Sequence, residues 1–90
     1  MKYQPPGSET LRRLKEHLGY TNVQMADLFG VSTGRQFHKY LSDEDKREMG
    51  FHVLMYGAMQ LALMTGPVTN IEQVFAAARS IGATIEMEEQ

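Results

Sequence analysis

Residues Thr21 to Ser42, TNVQMADLFGVSTGRQFHKYLS, hold helix start and stop signals so closely spaced that they predict two short helices joined by a tight turn. Thr21 is a good N-cap, Gln24 three residues later completes a capping box, and Tyr20 and Met25 take the two positions of a hydrophobic staple. Met25, Ala26, Leu28 and Phe29 supply the inward face of the first helix, and the small Ala26 admits a second helix at close range. Gly30 can take the left-handed conformation that ends a helix. Val31 then anchors the turn, Ser32 or Thr33 caps the second helix, and Phe37, Tyr40 and Leu41 recur at helical spacing. The pattern predicts a helix-turn-helix whose second helix turns Thr33, Arg35, Gln36, His38 and Lys39 outward.

Those outward side chains suit nucleic acid. Arginine forks onto the O6 and N7 of guanine, glutamine pairs with adenine, and lysine or a hydroxyl meets phosphate or base edges. The plain alternative is the solvated face of a small helix. The cap, alanine, glycine and valine that precede the face favour DNA.

Ala26, then Gly30-Val31-Ser32 after three intervening residues, then a polar helix with Phe37 and Leu41 on its buried side, resembles the phage-repressor (XRE, Cro-like) helix-turn-helix family. More narrowly, the stretch LKEHLGYTNVQMADLFGVSTGRQFHKYLS is similar to small regulators of phages and prophages, a group that includes anti-CRISPR-associated repressors. The resemblance implies that the helix beginning near Thr33 lies in the major groove. In the family the first helix of the pair usually opens with Gln after Thr, where it meets a phosphate; here Asn22 follows Thr21 and Gln24 comes later, and either can serve. The family also usually places a branched apolar residue six positions after the turn glycine, where this chain has Gln36 and then Phe37. A turn one residue longer would rotate the outward face by one position.

Ninety residues make a single domain, 1–90, divided into a DNA-binding core over 8–47 and a helical packing and dimerisation part over 48–90. A chain of this size buries only about 60–65% of its unfolded surface, so a partner subunit would help it. The absence of cysteine leaves no disulfide framework and suits a reducing cytoplasm. The N-terminus lacks the apolar core of a signal peptide. The formal net charge is −2, but it is unevenly placed. Residues 1–47 carry eight Lys and Arg against six acids, a balance of +2, whereas residues 48–90 carry Arg79 alone against five glutamates, a balance of −4. The positive half holds the motif, and the weak overall charge predicts little non-specific affinity at physiological salt.

Pro5-Pro6 forces an extended approach to a first helix capped by Ser8, with Glu9 in its first turn, a Leu11–Leu14–Leu18 stripe and a stop at Gly19. Arg12, Arg13 and Lys15 lie off that stripe, and Arg12 or Arg13 can reach a phosphate. Ser42 and the acids after it predict another helix start, with Lys46 and Arg47 returning positive charge behind the second helix of the motif. Met49 to Thr65 is apolar on most of its circumference yet shorter than the ~20 residues of a membrane span. So much apolar surface in a small chain points to a subunit interface, expected at Val53, Leu54, Met55, Leu61 and Met64, with Gly57, Ala58 and Ala62 allowing close helix approach.

Gly66-Pro67 ends that helix, and Thr69 with Glu72 predicts a second capping box for a last helix with Ile71, Val74, Phe75 and Ala78 inward and Gly82 as its stop. Ala83 to Met87 alternates and predicts a short strand, partnered by Lys2–Gln4 or by a second copy of itself; a frayed acidic tail is the alternative. The expected architecture is all-α: five helices, with that strand at the C-terminus. His17, His38 and His52 fall in three different helices without ligand spacing, so neither metal nor cofactor is expected. No phosphate-cradling loop, nucleophile elbow or carboxylate pair suggests an enzyme or a small-molecule ligand.

The sequence thus predicts a cytoplasmic, homodimeric DNA-binding transcriptional regulator, a repressor on an inverted-repeat operator. Arg35 and Gln36 would read bases, Asn22, Gln24, Ser32, Thr33, His38 and Lys39 would fill out the contact surface, and Arg12, Arg13 and Lys46 would add charge. The competing expectation is a protein-interaction module on the same scaffold, such as an antitoxin or a phage-encoded inhibitor.

Overall fold

The computed structural model describes residues 1–44 and 47–86. Its elements are β1 (Lys2–Gln4), α1 (Ser8–Leu18), α2 (Asn22–Phe29), α3 (Gly34–Leu41), α4 (Phe51–Thr65), α5 (Ile71–Ser80) and β2 (Thr84–Glu86). The architecture is all-α, with five helices among the described residues and one two-stranded antiparallel sheet. α2 packs on α3 and α4, α1 on α3, α5 on α4, and β2 on α5. Among the described residues no helix is long and apolar enough to cross a membrane.

Local chemistry sets the central pair of helices. The Thr21 hydroxyl accepts the Gln24 N–H at 3.2 Å, while the Gln24 side chain accepts the Thr21 N–H at 2.8 Å, so two otherwise orphaned donors are satisfied reciprocally. At the other end Gly30 sits at φ 70°, where a side chain would be strained, and lets the Val31 N–H reach back to the Ala26 carbonyl at 2.8 Å. Thr33, rather than Ser32, caps α3 by accepting the Gln36 N–H at 3.0 Å. Phe37 and Leu41 are buried and Tyr40 half-buried, as the helical spacing requires.

A close contact in the core joins α2 to α4. A Cβ built on Gly57 would stand 2.1 Å from Cδ1 of Phe29, so the Phe29 ring lies directly on the glycine backbone. Phe29 in turn stacks on Phe37 with ring centroids 5.5 Å apart. Around this column Leu11, Met25, Leu54, Val74 and Ala78 are almost completely enclosed.

Several boundaries differ from the sequence reading. Gly7, not Ser8, is the N-cap of α1; the Ser8 hydroxyl is instead donated to Asp43 at 2.8 Å, tying α1 to the loop after α3. No helix starts at Ser42, because its hydroxyl accepts the Glu44 N–H two residues on and closes a local turn. α4 begins only at Phe51, after the buried Met49 and the Gly50 cap. α5 is capped by Asn70 and Gln73, one residue later than Thr69 and Glu72: Asn70 Oδ1 accepts the Gln73 N–H at 3.2 Å, and Gln73 returns its carbonyl to Asn70 N–H at 3.1 Å. Ile71, at the first turn, is 53% exposed and does not join the core.

The face of α4 expected to form an interface is also corrected. Leu54 is wholly buried in the chain's own core, and Val53, Met55 and Leu61 are half-buried against it; of the five expected residues only Met64 is open. The exposed stripe is Tyr56, Met59 and Leu63, spaced i, i+3 and i+7. The inward side carries Leu54, Gly57, Ala58 and Ala62, all buried, with Phe29 of α2 seated on Gly57.

β2 finds its partner within the chain. Tyr3 pairs with Ile85, Lys2 with Glu86 and Gln4 with Thr84. Met87, expected in the same strand, lies outside the described residues. Arg79 donates from Nη2 to the Ile85 carbonyl at 2.9 Å and fixes β2 to the end of α5. On the other strand the Tyr3 hydroxyl is donated to the Met49 carbonyl at 2.7 Å, and its ring meets Phe51 edge-on at 5.3 Å. Burial first, then the Glu48 charge and Tyr40, push the Tyr3 phenol up to about 12, so it remains a donor throughout the neutral range.

Gly57→Ala tests the Phe29 seat. Alanine is the better helix former by ~1 kcal/mol, but overpacking against the enclosed ring at so short a distance costs about 3 kcal/mol, the upper end of the usual range. The expected net loss is about 2 kcal/mol, a fall in Tm of roughly 8–16 °C for a domain of this size. An unchanged or raised Tm in thermal unfolding would show that Phe29 does not rest on Gly57.

Candidate nucleic-acid interface

Anchoring Phe37 and Leu41 leaves one side of α3 open. Arg35 and His38 are exposed, Gln36 and Lys39 half-buried, and Ser32 and Thr33 exposed at the entrance to the helix. No side-chain hydrogen bond or ion pair holds Arg35 or Lys39 to another described residue. Their charged ends are therefore available to a ligand. Gln36 differs: its Oε1 accepts a hydrogen bond from Arg47 Nη1 at 3.1 Å.

The start of α2 meets the middle of α3. Asn22 Nδ2 lies 3.5 Å from His38 Nδ1, and Asn22 Oδ1 is buried without a hydrogen-bond partner among the described residues. Both line a cleft of about 410 Å³ together with Arg12, Lys15, Glu16 and Leu41. The fold thus brings Lys15 of α1 beside Asn22 and His38, a neighbour that the sequence reading did not place in the site. The signal available for it was its i+3 spacing from Arg12 on the same helix. Val23, 62% exposed on the adjoining turn of α2, adds an apolar patch to the same surface.

Other expected contacts have internal work. Arg12 donates from Nη1 to the Leu41 carbonyl and lies 3.6 Å from Asp43 through Nη2, so it closes the C-terminal end of α3. Arg13 is paired with Glu9 at 2.7 Å one helical turn away; both are exposed, so the pair contributes little. The Gln24 carbonyl serves the Thr21 cap, and the Thr33 hydroxyl serves the α3 cap. Lys46 lies outside the described residues. The arrangement is a compact polar surface centred on α3, with Arg35 and Lys39 as its uncommitted cations and Arg47 and Lys15 at its borders.

Comparison with protein-family models, with curated proteins and with solved structures finds no match.

Proposed function

We propose that this chain is a sequence-specific DNA-binding transcriptional regulator, a repressor that acts in the cytoplasm as a homodimer and lays α3 in the major groove of each half of an inverted-repeat operator. The observation that carries the reading is the outward face of α3: Arg35 and Lys39 are free of partners among the described residues on a helix whose opposite side is fixed by Phe37 and Leu41. Arg35 matches the paired acceptors of guanine, Val23 can meet a thymine methyl, and Lys39, Ser32 and Lys15 suit phosphate. The resemblance to the phage-repressor family supports the same docking. Half-sites would then be one helical turn apart, about 34 Å, or a small multiple.

The uncharged exposed stripe Tyr56–Met59–Leu63 supports the homodimer: no Asp, Glu, Lys or Arg occurs in α4, so two copies of the face meet without repulsion. The same stripe, with the acidic balance of residues 48–90, favours a second reading in which the scaffold docks a partner protein.

A gel shift with duplexes selected from a random pool tests the first reading. Arg35→Ala is expected to cost about 1–3 kcal/mol and relax preference at one base pair, whereas Lys39→Ala should weaken all duplexes and flatten the salt slope by about one unit. Absence of a salt-sensitive specific complex, with a protein co-purifying instead, would favour the second. For the dimer, Leu63→Glu is expected to give monomers by light scattering at concentrations where the unaltered chain is dimeric. A dimer that survives this change would place the interface elsewhere.

A further inference from the structure

The Arg47–Gln36 contact is not required by the fold. Arg47 is exposed and Gln36 half-buried, Arg47 lies beyond the end of α3, and neither belongs to the hydrophobic core. Its consequence is chemical. A guanidinium has only donors, so the Gln36 atom 3.1 Å from Arg47 Nη1 has to be the carbonyl oxygen, and the choice between carbonyl and amide ends is settled without reference to a ligand. The Nε2 amide, with its two donors, is then the end left for a ligand.

A free glutamine reads adenine with both ends, its oxygen accepting from N6 and its nitrogen donating to N7. Here one lone pair of that oxygen is occupied and a positive charge lies beside it. The amino group of adenine, itself a donor, would approach a guanidinium. Guanine presents two acceptors, N7 and O6, on the same edge. The unit formed by Gln36 Nε2 and the remaining Arg47 N–H groups is donor-only and complements that edge.

We infer that Arg47, outside the helix-turn-helix, is a specificity-determining residue: by holding the Gln36 carbonyl it converts Gln36 from a reader of adenine into a reader of guanine. The inference rests on the DNA-binding reading and deepens it by naming the base.

The test is selection of duplexes from a random pool by the full-length protein and by its Arg47→Ala, Arg47→Lys and Gln36→Ala variants, followed by titration of duplexes that differ only at the position sensitive to Gln36→Ala. Arg47 is exposed and Gln36 half-buried, and circular dichroism melting checks that each of the three variants keeps the fold. The unaltered protein is expected to prefer guanine over adenine there by about tenfold. Arg47→Ala should bring adenine to within about threefold of guanine, because the freed carboxamide regains its two-ended pairing, and Arg47→Lys, which keeps a donor, should restore the preference. A phosphate contact by Arg47 would instead weaken every duplex alike and leave the preference standing, which overturns the inference while the DNA-binding reading survives. Adenine preferred by the unaltered protein also overturns it. Failure to select any duplex overturns the DNA-binding reading, and the inference with it.

Discussion

The placement of Phe29 on the backbone of Gly57 is the contact on which the geometry of the outer surface depends. With no side chain at Gly57, α2 comes close enough to α4 for the Phe29 ring to pack against the helix backbone, and the same ring stacks on Phe37 at 5.5 Å. α4 therefore positions α3 at one remove. Lifting the ring off by even one methyl group would disturb its stacking on Phe37 and with it the placement of α3. The same glycine that weakens α4 as an isolated helix makes it the platform for α2 and α3.

Charge on this molecule is best understood by what each side chain is already bonded to. Arg12 closes the end of α3, Arg13 is paired with Glu9, and Arg79 fastens β2 to α5, so these three carry positive charge without offering it freely. Arg35 and Lys39 have no such partner among the described residues. A net charge of −2 is then compatible with a locally cationic α3, since α3 itself contains no Asp or Glu. Weak global attraction and a few uncommitted donors would favour recognition by fit over indiscriminate adhesion to phosphate.

What the sequence could disclose was whatever depends on neighbours in the chain. The Thr21–Gln24 box, the stop at Gly30 and the inward pair Phe37 and Leu41 are local patterns, and each forms where those patterns put it. Ambiguity between Ser32 and Thr33 could not be resolved locally, because either hydroxyl can cap; the extended conformation at Thr33 decides it. Ser42 misled because its hydroxyl has two local uses, a helix cap or a turn two residues long, and the sequence does not rank them. On α4, a helix apolar nearly all round gives no hydrophobic stripe to orient by, so the sequence does not separate Leu54, which is core, from Tyr56, Met59 and Leu63, which are exposed. Arg12 and Arg47 illustrate the corresponding limit for the site. Their partners, the Leu41 carbonyl and Gln36, lie far along the chain or across a loop, and only the folded geometry brings them into reach.

The proposed function requires that α3 be the surface that meets DNA. Amide chemical-shift mapping of the isotope-labelled chain, titrated with the duplex it selects from a random pool, addresses this most directly. The expected result is that the largest changes fall on Ser32 to Lys39, with Asn22, Lys15 and Arg47 at the border and little change at Tyr56, Met59 and Leu63. Largest changes along α4, or none with any duplex, would contradict it.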